Sequence, residues 1–296
     1  ETLNYLWSTG ETTSSIDTIL LTSGTYTFSV TATNVETGCV SRGSKSVTIN
    51  ALPVAEITSD ATNNAICLGQ SVTLTATGGV SYLWSTTSTG AEITETPDVT
   101  TTYFVTVTNA YGCTATSSIT ITVNPLPNVA IEMNPENGQI CWGESITLTA
   151  SGGASYVWST AERTQSITVT PDISQSYIVT AVTAFGCSAS TSAYVTVNPI
   201  PDVELAVSPN DTICSGGNVH IYVINPGGMN FVWSNGSTDS YLDTVLTAAG
   251  AHTFDVVGTH ESTGCHKNSS ITIFVNATPA PNLTINHTSA AICVGS

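Results

Sequence analysis

Residues 66–85 read ICLGQSVTLTATGGVSYLWS, and the chain says the phrase again: residues 140–159 are ICWGESITLTASGGASYVWS, 74 positions on. Residues 213–234 give a looser copy, ICSGGNVHIYVINPGGMNFVWS, and residues 292–296, ICVGS, open another. A fixed period of this size marks an array of similar units. Within a copy the period is two. Val72, Leu74 and Ala76 alternate with Ser71, Thr73 and Thr75; further on, Tyr103, Val105 and Val107 alternate with Phe104, Thr106 and Thr108. Alternation of β-branched and hydroxyl residues reads as half-buried strand. Gly78-Gly79, Thr96-Pro97-Asp98 and Tyr111-Gly112 supply the turns. No window carries helical spacing with caps. The expectation is an all-β chain with six or seven short strands per repeat, arranged as two-sheet sandwiches.

Working outward, the joints recur as Asn-x-x-Pro segments at Asn50–Pro53, Asn124–Pro127, Asn198–Pro201 and Asn276–Pro281. Proline fixes φ and removes a donor, so these are short, stiff, extended connections. They divide the chain into a partial repeat at 1–50, whose N-terminal strands are missing, and full repeats at 51–124, 125–198 and 199–276. The start of another follows at 277–296. Glu1 falls in mid-repeat, so the absence of a leader peptide carries no meaning. The distance from the repeat's Trp to its later Cys is 29 residues in the second and third repeats and 32 in the first and fourth, which makes the outer two look like siblings.

Composition narrows the class. Four basic residues (Arg42, Lys45, Arg163, Lys267) stand against 21 acidic ones, for a net charge of −17, and charged residues are 8% of the chain. That balance argues against nucleic acid and against anionic membrane surfaces, both of which need clustered Lys and Arg. No run of 18 apolar residues is present, so no membrane insertion is expected in this segment. Ordered alternation with 41% apolar residues is also unlike a disordered acidic tail. The surface is built from Thr, Ser and Asn, a weakly charged coat typical of proteins that live outside cells.

Gly69 to Leu74, then Trp84, then Tyr103-Phe104-Val105 resemble the B, C and F strands of an immunoglobulin-like or PKD-like domain. Ala76 and Val105 fall where an antibody domain carries its inter-sheet cysteines. The whole pattern (ICxGxSVTLTAxGG, YxWS, a Pro-Asp turn, xGC, NPLP) is similar to the tandem surface repeats of Bacteroidetes, found in giant gliding-motility-associated adhesins exported by type IX secretion. The resemblance covers the whole chain. It implies immunoglobulin-like sandwiches placed end to end, in a structural stalk or filament of a cell-surface adhesin. It also implies an O-glycosylation motif, Asp-Thr followed by an aliphatic residue, at Thr18, Thr212 and Thr244. A carbohydrate-binding array in a secreted multidomain protein is the alternative.

The eight cysteines are the sharpest feature. Each repeat has one just before strand B (Cys67, Cys141, Cys214, Cys293) and one after the F–G turn (Cys39, Cys113, Cys187, Cys265). Pairing within a repeat would give Cys67–Cys113, Cys141–Cys187 and Cys214–Cys265. Topology argues otherwise: strands B and F run the same way, so these cysteines belong at opposite tips of a sandwich. Strands of eight to ten residues put the tips about 25–33 Å apart, whereas a disulfide needs Cα atoms about 4.4–6.8 Å apart. With repeats placed end to end, the first cysteine of one repeat faces the second cysteine of the next, giving Cys67–Cys187 and Cys141–Cys265. Cys39, Cys113, Cys214 and Cys293 then have partners in repeats beyond this segment. Either pairing implies an oxidising, extracellular compartment. Free thiols are the third possibility.

Other candidates weigh less. Trp7, Trp84, Trp158 and Trp233 recur at the C-strand position and read as the core Trp of each sandwich, ahead of a sugar-stacking ladder with Tyr82, Tyr156 and Phe231. Trp142 has no aromatic counterpart (Leu68, Ser215, Val294) and is expected to pack into a junction. The five histidines lie in the fourth repeat or beyond it, match no zinc spacing and read as solvated or structural. No Ser/His/Asp set recurs, so no enzyme chemistry is expected. Asp98 and Asp172 follow prolines in matching turns, and no Asp-x-Asp-x-Asp run accompanies them, so turn chemistry is preferred to calcium. The second repeat contains no Lys, which excludes a Lys–Asn isopeptide bond there. Sequons from Asn210 onward matter only in a eukaryotic secretory host. The chain is read as needing no cofactor. Its partners are neighbouring repeats and, beyond them, surface polysaccharide or other copies of the filament.

Overall fold

Alternating β-branched and hydroxyl residues form strands along the chain, of which the computed structural model describes residues 2–284. Strands β1 (Leu3–Trp7), β2 (Gly24–Asn34) and β3 (Val40–Ile49) make one three-stranded sheet in that order. Seven strands follow: β4 (Glu56–Ser59), β5 (Ala65–Cys67), β6 (Val72–Thr77), β7 (Ser81–Trp84), β8 (Glu92–Glu95), β9 (Thr101–Thr108) and β10 (Thr114–Asn124). They make two sheets, ordered β4-β6-β8 and β5-β10-β9-β7.

The arrangement then recurs. β11 (Ala130–Asn134), β12 (Gln139–Cys141), β13 (Ile146–Ser151), β14 (Ser155–Trp158), β15 (Ser166–Val169), β16 (Gln175–Val182) and β17 (Ser188–Asn198) form sheets β11-β13-β15 and β12-β17-β16-β14. β18 (Glu204–Ser208), β19 (Thr212–Cys214), β20 (Gly217–Ile224), β21 (Met229–Trp233), β22 (Tyr241–Leu246), β23 (Gly250–His260) and β24 (His266–Asn276) form β18-β20-β22 and β19-β24-β23-β21. The fold is a tandem array of immunoglobulin-like β-sandwiches. By contacts the chain divides into two compact units, Glu1–Pro127 with Thr183–Ser188, and Asn128–Val182 with Ala189–Ser296.

Each core is filled by the inward half of the alternation. Val72, Leu74 and Ala76 of β6 meet Val105 and Val107 of β9, Ile121 of β10 and Trp84. Ile146, Leu148, Val179, Val195 and Trp158 do the same in the next sandwich, and Val219, Ile221, Val256, Ile273 and Trp233 in the last. These three tryptophans are each 2% exposed. Each indole donates to a carbonyl six residues on: Trp84 Nε1 to Gly90 at 2.9 Å, Trp158 to Thr164 at 2.9 Å, Trp233 to Asp239 at 2.8 Å. Burial of the ring is thereby compatible with its polar N–H.

Trp7 differs. It makes the same bond, to the Thr13 carbonyl at 2.9 Å, but is only partly buried. The physical reason is that residues 3–49 contribute a single sheet, with no facing sheet among the described residues to close over the ring.

The 29- and 32-residue spacings also have a structural reading. Trp84 pairs with Val105 and Trp158 with Val179, whereas Trp7 pairs with Val30 and Trp233 with Val256, two residues later in each case. The third residue sits in the hairpin tip. Asn109 and Thr183 close on the Cys four residues away, Asn34 and His260 on the Cys five away.

Candidate functional site: the cysteine crosslinks

The first cysteine of each repeat does not lead into the long core strand. It ends a three-residue strand of its own, β5, β12 or β19, which runs parallel to the last strand of the repeat. Register pairs Cys67 with Asn124, Cys141 with Asn198 and Cys214 with Asn276, the final residue of β10, β17 and β24 respectively. The second cysteine (Cys113, Cys187, Cys265) immediately precedes that same strand. The two cysteines of a repeat therefore sit at opposite ends of one eleven-residue strand, about 33 Å apart. No rotamer bridges that distance.

The bonds instead run between repeats. Cys67 is joined to Cys187, 120 residues on, with Cα atoms 5.5 Å apart. Cys141 is joined to Cys265, 124 residues on, at 5.6 Å. Cys39, Cys113 and Cys214 are unpaired; Cys293 lies outside the described residues. Of the bonded cysteines, Cys67 and Cys141 are half-buried. Cys187 and Cys265 are 1% and 0% exposed, whereas Cys39 and Cys214 are exposed and Cys113 half-buried.

Local sequence holds each sulfur in place. In Cys-x-Gly-Gln/Glu the glycine takes a positive φ (Gly69 +83°, Gly143 +86°), and the Gln70 and Glu144 amides donate to the Cys67 and Cys141 carbonyls at 2.9 Å. That is a type II turn, which needs glycine at its third position. The Gln70 and Glu144 side chains accept from the cysteine N–H at 3.0 and 2.9 Å, fixing the strand end. In the last sandwich the equivalent residue is Gly217, which has no side chain to do this, and Cys214 is unpaired. On the other side, Thr183 accepts from the Cys187 N–H through Oγ1 at 3.2 Å, and Thr263 from Cys265 at 3.3 Å. Cys187 Sγ lies 3.9 Å from the Asn124 carbonyl.

The remaining candidates fall into place as follows. Tyr156 and Phe231 are buried and Tyr82 partly so, with the Tyr82 and Tyr156 hydroxyls donating to the Gly79 and Gly153 carbonyls, so these rings belong to the cores. Trp142 stands beside the joint residues Asn198, Pro199 and Ile200, as expected, but is 55% exposed there. It walls an open cleft of about 470 Å³ with Ile173, Val197, Pro199 and Ile200, its backbone N–H donating to the Asn198 carbonyl at the end of the repeat's last strand at 2.9 Å. Thr18 and Thr212 are exposed, and Thr244 is half-buried within β22. Burial pushes the phenols of Tyr103 and Tyr177 above their ordinary range; Glu95 adds to the rise at Tyr103, and a bond from Gln175 opposes it at Tyr177. Sequence reasoning missed one cluster, His220, Tyr222, Tyr241 and Asp243, because these residues meet only through cross-strand register.

No family model matches the chain, and no curated protein matches it. Among solved structures, a calcium-stabilised adhesin with which an Antarctic bacterium binds ice is similar at 15% identity and a TM-score of 0.34, over 84% of this chain and 82% of that one. A structure concerned with cell-surface retention of a 1.5-MDa bacterial ice-binding adhesin is similar at 17% identity and a TM-score of 0.29, over 78% and 100%. An I-band fragment of titin is similar at 12% identity and a TM-score of 0.37, over 78% and 100%. At such values no function passes from those proteins to this chain.

Proposed function

We propose that this chain is a spacer segment of a long secreted cell-surface adhesin, in which covalent links tie each repeat to the next and no catalysis takes place. The observation that carries the reading is the interlacing of the two bonds. Cys141 lies inside the loop closed by Cys67–Cys187, and Cys187 inside the loop closed by Cys141–Cys265. A pull from Cys67 to Cys265 then finds its shortest covalent path through both bonds and the intervening residues 141–187, followed backward. That path is 46 residues long against 198 along the backbone, about 150–165 Å against about 650–710 Å when fully extended. Even with its sandwiches unfolded, the oxidised segment keeps most of its length in reserve. Limiting extension under load is what a tether between a cell and a distant tip requires.

In this reading the repeats divide at 50/51, 124/125, 198/199 and 276/277. Cys39, Cys113, Cys214 and Cys293 continue the same pattern with repeats before and after. The Thr-rich faces take O-linked sugar at Thr18, Thr212 and Thr244, and the compartment is the cell exterior. The parent adhesin serves surface attachment or gliding motility in a member of the Bacteroidetes, exported by type IX secretion. Peptide mapping of the secreted protein without reductant tests the crosslinks. Peptides linking Cys67 to Cys187 and Cys141 to Cys265 are expected; linked pairs within one repeat would overturn the reading.

A further inference from the structure

The fourth repeat departs from its neighbours on the outer face of its three-stranded sheet. In the third repeat that face is a hydroxyl ladder, with Thr147 bonded to Thr168 at 3.2 Å and Thr149 to Ser166 at 2.9 Å across β13 and β15. The register of β20 against β22 puts His220 and Asp243 at the first of these pairs and Tyr222 and Tyr241 at the second. His220 Nδ1 lies 2.6 Å from Asp243 Oδ1, and the imidazole centroid is 5.4 Å from each tyrosine ring. All four residues are exposed, Tyr222 at 37% and Tyr241 at 45%. Cross-strand pairs support a sheet, but the hydroxyl ladder already does that in the third repeat. What the fourth repeat adds is three rings and a carboxylate in place of hydroxyls. Beside the His–Asp pair the surface opens into a cleft of about 650 Å³, bounded also by Ser208, Pro209, Asn218 and Val245.

We propose that this face of the fourth repeat binds a neutral oligosaccharide. A pyranose presents an apolar C–H face that lies against aromatic rings and a rim of hydroxyls that pairs with carboxylate and amide groups. Tyr222, Tyr241 and His220 offer the first surface; Asp243, Asn218 and Ser208 offer the partners for the second. The His220 ring walls the cleft among a few polar groups, and Tyr222 and Tyr241 stand beside that ring outside the lining, so a chain of sugars has a small cleft and an adjoining ring surface to lie along. Charge selects among glycans. Asp243 lines the cleft, no Lys or Arg does, and the chain carries a net charge of −17, so uronic acids, sialic acids and nucleic acids are repelled. The site is independent of the spacer reading, and neither the crosslinks nor their absence alters its residues.

The test uses the full oxidised chain. Binding is screened on a printed array of neutral glycans and titrated calorimetrically with manno-, cello-, malto- and laminarihexaose, with oligogalacturonate as the acidic counterpart. At least one neutral glycan is expected to bind, and Tyr222→Thr with Tyr241→Ser to weaken it about tenfold or more, a loss of about 1.4 kcal/mol. Those substitutions install the residues that the third repeat carries at the same register, so the sheet tolerates them and the melting curve should not move. Asp243→Asn, which keeps shape and removes charge, is expected to weaken binding as well. Silence across the array and all four hexaoses, retention of affinity in the double variant, or binding of the galacturonate alone would each overturn the proposal. Should the double variant misfold, unchanged affinity in Asp243→Asn would overturn it by itself.

Discussion

The third and fourth sandwiches share a frame and differ on its faces. Both have a buried C-strand Trp bonded to a carbonyl six residues on, a three-residue strand ending in Cys, and an eleven-residue last strand with a second Cys at its other end. Outside the frame they diverge. One face carries Thr147, Thr149, Ser166 and Thr168, and the other His220, Tyr222, Tyr241 and Asp243. The architecture demands some of these residues and leaves the others open. Positions that fill the core or set the strand ends are held by packing and turn geometry, while an outward side chain on a twisted sheet answers only to solvent and ligand.

Four perturbations should separate frame from face. Replacing Cys141 and Cys265 by Ser removes a loop of 124 residues from the unfolded chain, worth about 4–5 kcal/mol in the chain-entropy model. Replacing the unpaired Cys39 by Ser should change stability little, and denaturant midpoints of the two variants make the contrast. Trp158→Ala and Trp233→Ala should each lower the opening free energy of their own sandwich by about 3–5 kcal/mol in hydrogen exchange. Trp7→Ala, at a half-buried site, should lower it by less. Unequal losses at Trp158 and Trp233 would break the claim of a common frame.

Two glycines of the turn before the Trp strand, one residue apart in register, also differ between the sandwiches. Gly152 has φ +92°, and a Cβ there would lie 2.0 Å from the Asn128 carbonyl oxygen; at Gly228, φ +74°, nothing stands within 4 Å. Gly152→Ala should therefore destabilise by about 2–4 kcal/mol and Gly228→Ala by about 1, read from the same exchange experiment. The smallest effect is alkaline. Tyr103 and Tyr177 titrate above the ordinary phenol range when folded, and Phe254 occupies the corresponding place in the fourth repeat, two residues before the partner of its Trp. A raised folded value means stability is complete below pH about 10 and is lost as the pH rises from there through the folded values, since the unfolded chain releases its protons first. Tyr177→Phe should flatten that loss in the third repeat and leave the fourth unchanged.

How much of this was legible in the sequence depends on whether a property is periodic or requires register. The sandwich class is written in the alternation of Val72, Leu74 and Ala76 with threonines. The separation of Cys67 from Cys113 follows once strand directions are assigned. The strand that holds Cys67 is not legible: three residues are too few to show a period, and Gly69 two places on reads simply as a turn. The place of Trp142 at the joint is legible from its turn, but its 55% exposure is not, because that depends on how closely Pro199 and Ile200 approach it. His220 and Tyr222 alternate correctly with Val219, Ile221 and Val223 and so look like ordinary solvated positions. Their partners Asp243 and Tyr241 are about twenty residues away, and only the β20–β22 register brings them together.

The interlaced crosslinks are tested most directly by stretching single oxidised chains at constant force, with the sandwiches already unfolded, while a thiol reductant cuts the two bonds in turn. Whichever of Cys67–Cys187 and Cys141–Cys265 goes first, the shortest covalent path lengthens by 28 or 32 residues, and the second cut releases the remaining 124 or 120. A short step of about 90–115 Å followed by a long one of about 400–450 Å is expected. Bonds closed inside single repeats, spanning 46 or 51 residues, would give steps all near about 150–180 Å and would contradict it.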